Sequence, residues 1–348
     1  MTSWLLYGAY GYTGELIARE AVDRGLDPIL AGRTRGKLDR LAADLDCEFR
    51  AFGLGHERDL RDALSDVDVV LHCAGPFAET YELMVEAAID TGTHYLDITG
   101  EIGVFEAIST YDDAASEAGV MLMPGVGFDV VPTDCLAGHL GERVPDADSL
   151  ALGFYAEGGF SPGTMKTAVA GMGEGGMVRR EGRLKSVPAA WKTREIDFGT
   201  GPLEATTFPW GDISTAYRTT GVPDIEFYVA FPPSTIQRMR YQRYLSPVLK
   251  LGPVQTLLQE LVDRRVDGPD EETRRETQAH LWGEITDGEQ TAVSRLQTPN
   301  TYTLTVQTAL EILSRVRDGD APVGYQTPAG AYGPDLILDV EGVERTDE

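Results

Sequence analysis

A strand that runs straight into glycines and then into a helix is the feature that most constrains this chain. Trp4-Leu5-Leu6-Tyr7 is a short apolar run, Gly8-Ala9-Tyr10-Gly11-Tyr12-Thr13-Gly14 follows it, and Glu15 to Ala21 has the apolar spacing of an amphipathic helix. A helix begun this way leaves its first N–H groups without intrahelical acceptors. It also sets the positive end of the helix dipole beside them, so a pyrophosphate can be received there. A Cβ at Gly8 or Gly11 would block the close approach of phosphate to backbone. The spacing is G-x-x-G-x-x-G, a relative of the strict G-x-G-x-x-G fingerprint and weak by itself.

The next strand decides which dinucleotide fits. Gly25 closes the first helix, and Asp27-Pro28 leads into Ile29-Leu30-Ala31-Gly32. A site that prefers NAD has a carboxylate near the end of this strand to bond the ribose hydroxyls. Here the strand runs into Gly32-Arg33-Thr34-Arg35-Gly36-Lys37, three cations and a hydroxyl. An arginine can clasp a 2′-phosphate bidentately and stack on adenine, so Arg33 is the leading contact and Lys37 a supporting point charge. The blander alternative is a solvated helix start.

Helix and strand then alternate. Lys37–Leu45, Arg58–Leu64, Tyr81–Asp90 and Val104–Ala118 read as helices. Glu48–Phe52, Val67–Cys73, Thr93–Ile98 and Val120–Met123 read as strands. This pattern predicts an α/β fold, a Rossmann-type doubly wound parallel sheet. The Val67–Cys73 strand empties into Ala74-Gly75-Pro76-Phe77, which should line the nicotinamide side of a cofactor, because ligands lie beyond the carboxyl ends of such strands. Asp97, Glu101 and Asp129 follow strand ends on the same edge.

Composition bounds the rest. The 348 residues suffice for two domains of ordinary size. No apolar run is long enough to span a bilayer and no signal-peptide pattern opens the chain, so the expectation is a cytoplasmic protein without an integral membrane segment. Cys47, Cys73 and Cys135 are far apart and lack metal-ligand spacing, which predicts buried thiols and no metal site. The formal net charge is −26, and lysine is confined to Lys37, Lys166, Lys185, Lys192 and Lys250. Such a surface repels phosphate backbones and disfavours nucleic-acid binding. It also suits concentrated salt, where repulsion is screened, and a halophilic source is the expectation.

A set of motifs, taken in order, resembles the saccharopine dehydrogenase-like family, most of all the branch that includes trans-acting enoyl reductases. They are the Gly8–Gly14 turn, Ala31-Gly32-Arg33, Cys73-Ala74-Gly75-Pro76-Phe77 with Tyr81, and Tyr95-Leu96-Asp97-Ile98-Thr99-Gly100-Glu101. Gly127-Phe128-Asp129-Val130-Val131-Pro132-Thr133-Asp134, Gly163-Thr164, Tyr217–Asp224 and Gly324–Ala329 before Tyr332-Gly333 continue it. The resemblance implies an NADP(H)-binding Rossmann domain and a second α+β domain on a mostly antiparallel sheet. The expected division is 1–140 for the NADP-binding domain, 141–302 for a substrate or dimerisation domain, and 303–348 for a helix and tail returning to the first domain.

In the second region, strands are expected at Ala151–Ala156, Arg194–Phe198, Glu204–Phe208, Ile225–Phe231 and Glu289–Gln297. A glycine-loosened helix is expected at Thr164–Val178. Met239–Leu261 suggests a helical flap or the surface of a homodimer. Tyr302–Val316 reads as an amphipathic helix, Leu336–Val340 as strand-like, and Glu341–Glu348 as frayed.

Candidate proton-transfer groups are Tyr81, Asp97, Glu101 and Asp129, with Lys166 behind them. Each has a plainer role open to it: Tyr81 as packing at a helix start, the aspartates as caps of backbone N–H groups, Lys166 as a surface cation. His72 and His94 lie within strands and read as core or strand-end residues. The Ser-Tyr-x-x-x-Lys arrangement of short-chain reductases is absent from the sequence. The cofactor contacts expected are Gly8, Tyr10, Gly11, Tyr12, Thr13, Gly14, Arg33, Lys37, Cys73, Ala74, Gly75, Pro76 and Phe77, for NADP(H). The functions open at this point are an NADP(H)-dependent reductase of a conjugated alkene, carbonyl or imine in a small or lipid-like substrate, a non-catalytic NADP(H)-binding sensor or assembly protein, and a saccharopine reductase.

Overall fold

The computed structural model describes residues 2–159, 161–171, 175–242, 252–265 and 268–348. The chain forms two compact units. Met1–Asp129 joins Leu304–Ala331 in the first, and Val130–Thr303 joins Tyr332–Glu348 in the second.

The first unit is built on β1 (Trp4–Tyr7), β2 (Ile29–Gly32), β3 (Phe49–Ala51), β4 (Val69–His72), β5 (His94–Asp97) and β6 (Met121–Met123). All pair in parallel, in the order 3-2-1-4-5-6, and the short strand Gly324–Tyr325 adds itself beside β6. β1 and β4 are buried along their whole length, which is why they read as largely apolar runs with no alternation, His72 closing the second. Between β1 and β4 the winding reverses direction. Doubly wound sheets receive ligands at the carboxyl ends of the strands at this point, and the turns after β1 and β4 both open there.

The helices Tyr12–Asp23, Arg35–Leu45, Glu57–Leu64 and Phe77–Thr91 connect these strands. Phe77–Thr91 begins four residues earlier than its apolar pattern suggested, because Glu101 caps it from outside its own sequence. The Val104–Ala118 region is two short helices, Ile102–Ile108 and Asp112–Ala118, joined by one 3-10 turn.

The second unit holds a mixed, mostly antiparallel sheet. Its main path runs Thr193–Asp197, Pro202–Thr207, Asp224–Ala230, Ser149–Ala156, Gln278–Thr286, Thr291–Pro299 and Glu344–Asp347. The hairpin of Gly176–Arg180 and Arg183–Val187 attaches to Asp224–Ala230. The sheet is curled. Arg194 and Glu284 lie four strand spacings apart along it, on the order of 19 Å if flat, yet they form a bidentate pair at 3.1 Å through both nitrogens. The Arg194 guanidinium also lies 4.6 Å from the Trp282 ring centroid and 5.7 Å from that of Tyr228. Inside the curl, Ile196, Phe198, Ala205, Tyr228 and Trp282 form a buried cluster.

Several sequence expectations change here. Val131–Arg143 was expected to close the first domain, but it packs on the second sheet: a Cβ on Gly283 would come within 2.6 Å of a Leu140 methyl and 3.2 Å of a Leu136 methyl. The strand carrying Gly283 was not foreseen, since glycine and a glutamate interrupt its apolar pattern. The chain from Tyr332 on was expected to return to the first domain. It instead belongs to the second unit, and Glu344–Asp347 pairs along Thr291–Pro299 where a frayed end was expected. Leu336–Asp339 is a 3-10 turn, not a strand. The glycine-rich helix stops at Ala170, and Gly176 already opens a strand. Met239–Leu261 falls partly on residues 243–251, outside the described residues, and is flanked by the helices Pro233–Gln242 and Gly252–Arg265. No helix among the described residues is long and apolar enough to cross a membrane.

Gly283→Ala should overpack the contact between this helix and the sheet. The expected loss is about 1–3 kcal/mol, read as a lower urea midpoint, with the aromatic signals of Trp282 reporting the second unit.

Candidate functional site

The glycine turn is made tight by backbone meeting backbone. A Cβ on Gly14 would come within 2.3 Å of the Gly8 carbonyl oxygen, and one on Gly8 within 2.9 Å of Ala74 N and of the Cys73 carbonyl carbon. Gly8 has φ +86, in the left-handed region that favours glycine. Gly11 donates to the Gly8 carbonyl at 2.9 Å and starts the helix with no side-chain cap. Thr13 and Gly14 therefore offer first-turn N–H groups that the helix itself cannot satisfy, beside the dipole's positive end. Tyr12 is the first helical residue and is half-buried. These features fit a pyrophosphate.

Tyr10 ties the turn to the end of β2. Its ring lies against Gly32, where a Cβ would come within 2.7 Å of it, and its hydroxyl accepts from the Thr34 N–H at 3.2 Å. The Lys37 ammonium stands 5.3 Å from the Tyr10 ring centroid. Arg33 and Lys37 are exposed and form no ion pair among the described residues. In an acidic chain where Arg19, Arg24, Arg50 and Arg61 of the same unit are paired with carboxylates, these two cations, with Arg35 beside them also outside any ion pair among the described residues, fit an anionic ligand. Thr34, which bonds Tyr10, was visible in the sequence only as a hydroxyl between arginines.

Beyond β4, Cys73 and Ala74 are half-buried, Gly75 is exposed, the Gly75-Pro76 bond is cis, and Phe77 is buried at the helix start. Thr80 reaches back so that its hydroxyl lies 2.9 Å from the Ala74 carbonyl oxygen, and it bonds His72 Nε2 at 2.9 Å. Burial pushes the His72 imidazole down to about 3, so it stays neutral, and its Nδ1 has no hydrogen-bond partner among the described residues. His94 Nδ1 accepts from Met121 N–H at 2.9 Å, a strand-to-strand bond. Burial, with Asp97 nearby, pushes the Cys73 thiol well up and keeps it protonated.

The three carboxylates differ in surroundings. Asp97 is wholly buried and accepts from the Tyr95 hydroxyl at 2.7 Å, Thr99 N–H at 2.8 Å and Gly125 N–H at 2.9 Å. Burial raises it to about 6 against the pull of those bonds. Glu101 accepts from Phe77 N–H at 2.9 Å and Ala78 N–H at 3.1 Å, so both its oxygens cap the helix Phe77–Thr91; burial still raises it. Asp129 sits over Gly100, where a Cβ would come within 2.7 Å of its Oδ2. Its carboxyl has no hydrogen bond or ion pair among the described residues, and burial alone pushes it up to about 7. No cation is among the causes that set any of the three.

The structure thus gathers Asp97, Glu101 and Asp129 at the carboxyl ends of β5 and β6, with Cys73 near Asp97. Tyr81 is set apart: its charged neighbours are Glu82 and Glu86 on its own helix, and it packs on the core of the first unit. Lys166 lies in the second unit, on the helix Pro162–Ala170. Among the described residues no group of three or more His, Cys, Asp or Glu could hold a metal ion.

Comparisons with known proteins bear on the fold and the cofactor of the first unit. Residues 4–123 match the family model of the saccharopine dehydrogenase NADP binding domain. A saccharopine dehydrogenase-like oxidoreductase of Homo sapiens is 26% identical over 281 residues, covering 72% of this chain and 61% of the human protein. A trans-acting enoyl reductase of Mycobacterium ulcerans is 29% identical over 152 residues, covering 41% of this chain and 36% of its own. Apo saccharopine dehydrogenase (L-Glu forming) from Saccharomyces cerevisiae shares the fold across 100% of both chains, with a TM-score of 0.67 at 12% identity. Residues 4–123 of the first unit are thus similar to the saccharopine dehydrogenase NADP binding domain, and the chain is similar in sequence to saccharopine dehydrogenase-like oxidoreductases. Its match spans about three fifths of the human relative's length.

Asp129 binds its proton more tightly folded than unfolded, so it lowers stability as pH climbs from its unfolded value near 4 to its folded value near 7, and no further above that. Asp129→Asn removes that penalty. Its gain in Tm over the unsubstituted chain should be small at pH 4, grow through pH 6 and level off above pH 7; a gain independent of pH would contradict the assigned shift.

Proposed function

We propose that this protein is an NADP(H)-dependent oxidoreductase that reduces a carbonyl, imine or conjugated alkene, with Asp129 as proton donor. The observation that carries the reading is a partly buried carboxyl without partners at the carboxyl edge of an NADP-binding sheet, held near neutrality. Bound nicotinamide would supply the hydride. Gly8, Gly11, Thr13 and Gly14 would hold the pyrophosphate, Tyr10, Arg33 and Lys37 the adenosine end with its 2′-phosphate, and Cys73–Phe77 the nicotinamide side. Asp129 would give its proton to the acceptor atom that becomes electron-rich and recover one from solvent. Asp97 and Glu101 are engaged by backbone N–H groups, which supports a structural duty for both. The all-acidic surroundings of the three carboxylates support an acceptor whose reacting end carries no carboxylate, and so favour a lipid-like or uncharged substrate over saccharopine. The acidic, lysine-poor surface supports operation in concentrated salt.

Two measurements test this. Arg33→Ala should weaken NADPH about 10- to 100-fold and NADH by less than about threefold, since a charge-assisted bond is lost only with the former; equal weakening in a fluorescence titration rejects the phosphate contact. NADPH oxidation against a panel of enones, ketones and keto acids should show a rate falling about tenfold per pH unit above about 7, and Asp129→Asn should lower kcat by about 10²- to 10⁴-fold and erase that limb. Tight NADPH binding with no turnover across the panel would favour a non-catalytic sensor.

A further inference from the structure

Asp129 ends the loop Pro124–Asp129, and that loop is gripped from two sides. On the β5 side, the Asp97 carboxylate accepts from Gly125 N–H and the Asp97 carbonyl accepts from Val126 N–H, at 2.9 and 2.7 Å. On the other side stands the helix Thr301–Arg317, whose residues from Leu304 onward belong to the first unit. Thr305 Oγ1 accepts from Phe128 N–H at 3.0 Å, and the Thr308 hydroxyl donates to the Val126 carbonyl at 2.9 Å. Both threonines are buried. Gly127 lies directly on Thr305, where a Cβ would come within 2.9 Å of Cγ2 and 3.3 Å of Oγ1.

The Gly127–Phe128 peptide, one bond short of Asp129, is therefore held by a hydroxyl, and Gly127 itself is fitted against a methyl of the same side chain. Valine would keep the shape and leave Phe128 N–H without its acceptor. Serine would keep the acceptor and release the methyl. Threonine alone does both, and at this position on an amphipathic helix a buried hydroxyl needs a reason.

We propose that Thr305 is a positioning residue for Asp129: through Phe128 and Gly127 it sets where the Asp129 carboxyl stands over Gly100. The inference rests on the reading of Asp129 as proton donor for its relevance to turnover, while the geometry it asserts can be tested without turnover.

The test follows the Asp129 carboxyl of the full chain by ¹³C NMR titration, its resonance identified by its loss in Asp129→Asn. Thr305→Val should shift the titration midpoint by about half a pH unit or more toward the ordinary carboxylate range, as the loop loosens and water reaches the carboxyl, and Thr305→Ser by less than about 0.2 unit. An unmoved midpoint in folded Thr305→Val, or an equal shift in both variants, overturns the role of the hydroxyl. If Thr305→Val does not fold, Gly127→Ala decides. Its methyl must move the midpoint on the unsubstituted chain and move it less beside Thr305→Ser, where Cγ2 is gone; no shift, or the same shift on both, overturns the proposal. In turnover, Thr305→Val should slow the unsubstituted enzyme about tenfold or more and have little further effect once Asp129→Asn is present, because coupled residues are non-additive. Additive losses overturn positioning. An Asp129→Asn variant that turns over normally overturns the donor reading instead, while a midpoint that still responds to Thr305 upholds the positioning.

Discussion

The contact of Gly14 with the carbonyl of Gly8 is the constraint on which the first unit depends. With 2.3 Å available where a Cβ would stand, the first helix can approach β1 only if no side chain intervenes. That approach aims the helix N-terminus at the point where the sheet changes winding direction. Gly8 in turn rests on the backbone of Cys73 and Ala74, so the turn after β1 and the turn after β4 are set against each other by main-chain atoms. A turn made this way owes its geometry to what is missing from its glycines, and it varies little with the side chains around it.

Charge is distributed around that frame in two opposite ways. Arg19, Arg50 and Arg61 in the first unit are spent on neighbouring carboxylates, yet Arg33 and Lys37 are left without ion pairs among the described residues, at the strand end proposed to receive an anion. At the carboxyl edge of β5 and β6 the pattern inverts: three carboxylates collect with no cation acting on them. Two of them find backbone N–H groups. Asp129 finds none, and burial without compensation is what brings its proton affinity into the physiological range. Its separation from Asp97 and Glu101 is one of neighbours, not of residue type.

That distinction explains what the sequence could and could not disclose. The glycine turn, the cations after β2 and the alternation of the first unit are local patterns, and each could be read where it stood. Asp97 as a cap could be read in part, since Thr99 N–H is two residues on, but its hold on Gly125 and the duty of Glu101 could not, because Gly125 and Phe77 stand 28 and 24 residues away. The strand Gln278–Thr286 was concealed by Gly283, whose bareness makes sense only once Leu136 and Leu140 lie across it. Thr305 and Thr308 were legible as members of an amphipathic helix and illegible as parts of a site. Buried hydroxyls three residues apart were the one available sign, and a helix can hide such groups by bonding its own carbonyls, as Thr308 also does with Leu304. The last strand was missed because its residues are charged, its place being held by Arg143, Ser294 and His139 on Asp347.

The discontinuity of the first unit has a consequence for the order in which the molecule matures during synthesis. Phe128 and the threonine that accepts its N–H are 177 residues apart in the chain. At ribosomal speeds of 5–20 residues per second that interval is about 9–35 s, and the whole middle of the protein emerges within it. The glycine turn can close and the β1–β6 sheet can assemble early, since all of these strands lie within residues 4–123. The loop bearing Asp129 must wait with one side undone until the late helix arrives. A nascent chain would thus acquire the grip for a dinucleotide well before the part that holds its acid in place, and cofactor binding alone would be a poor sign that the molecule is finished.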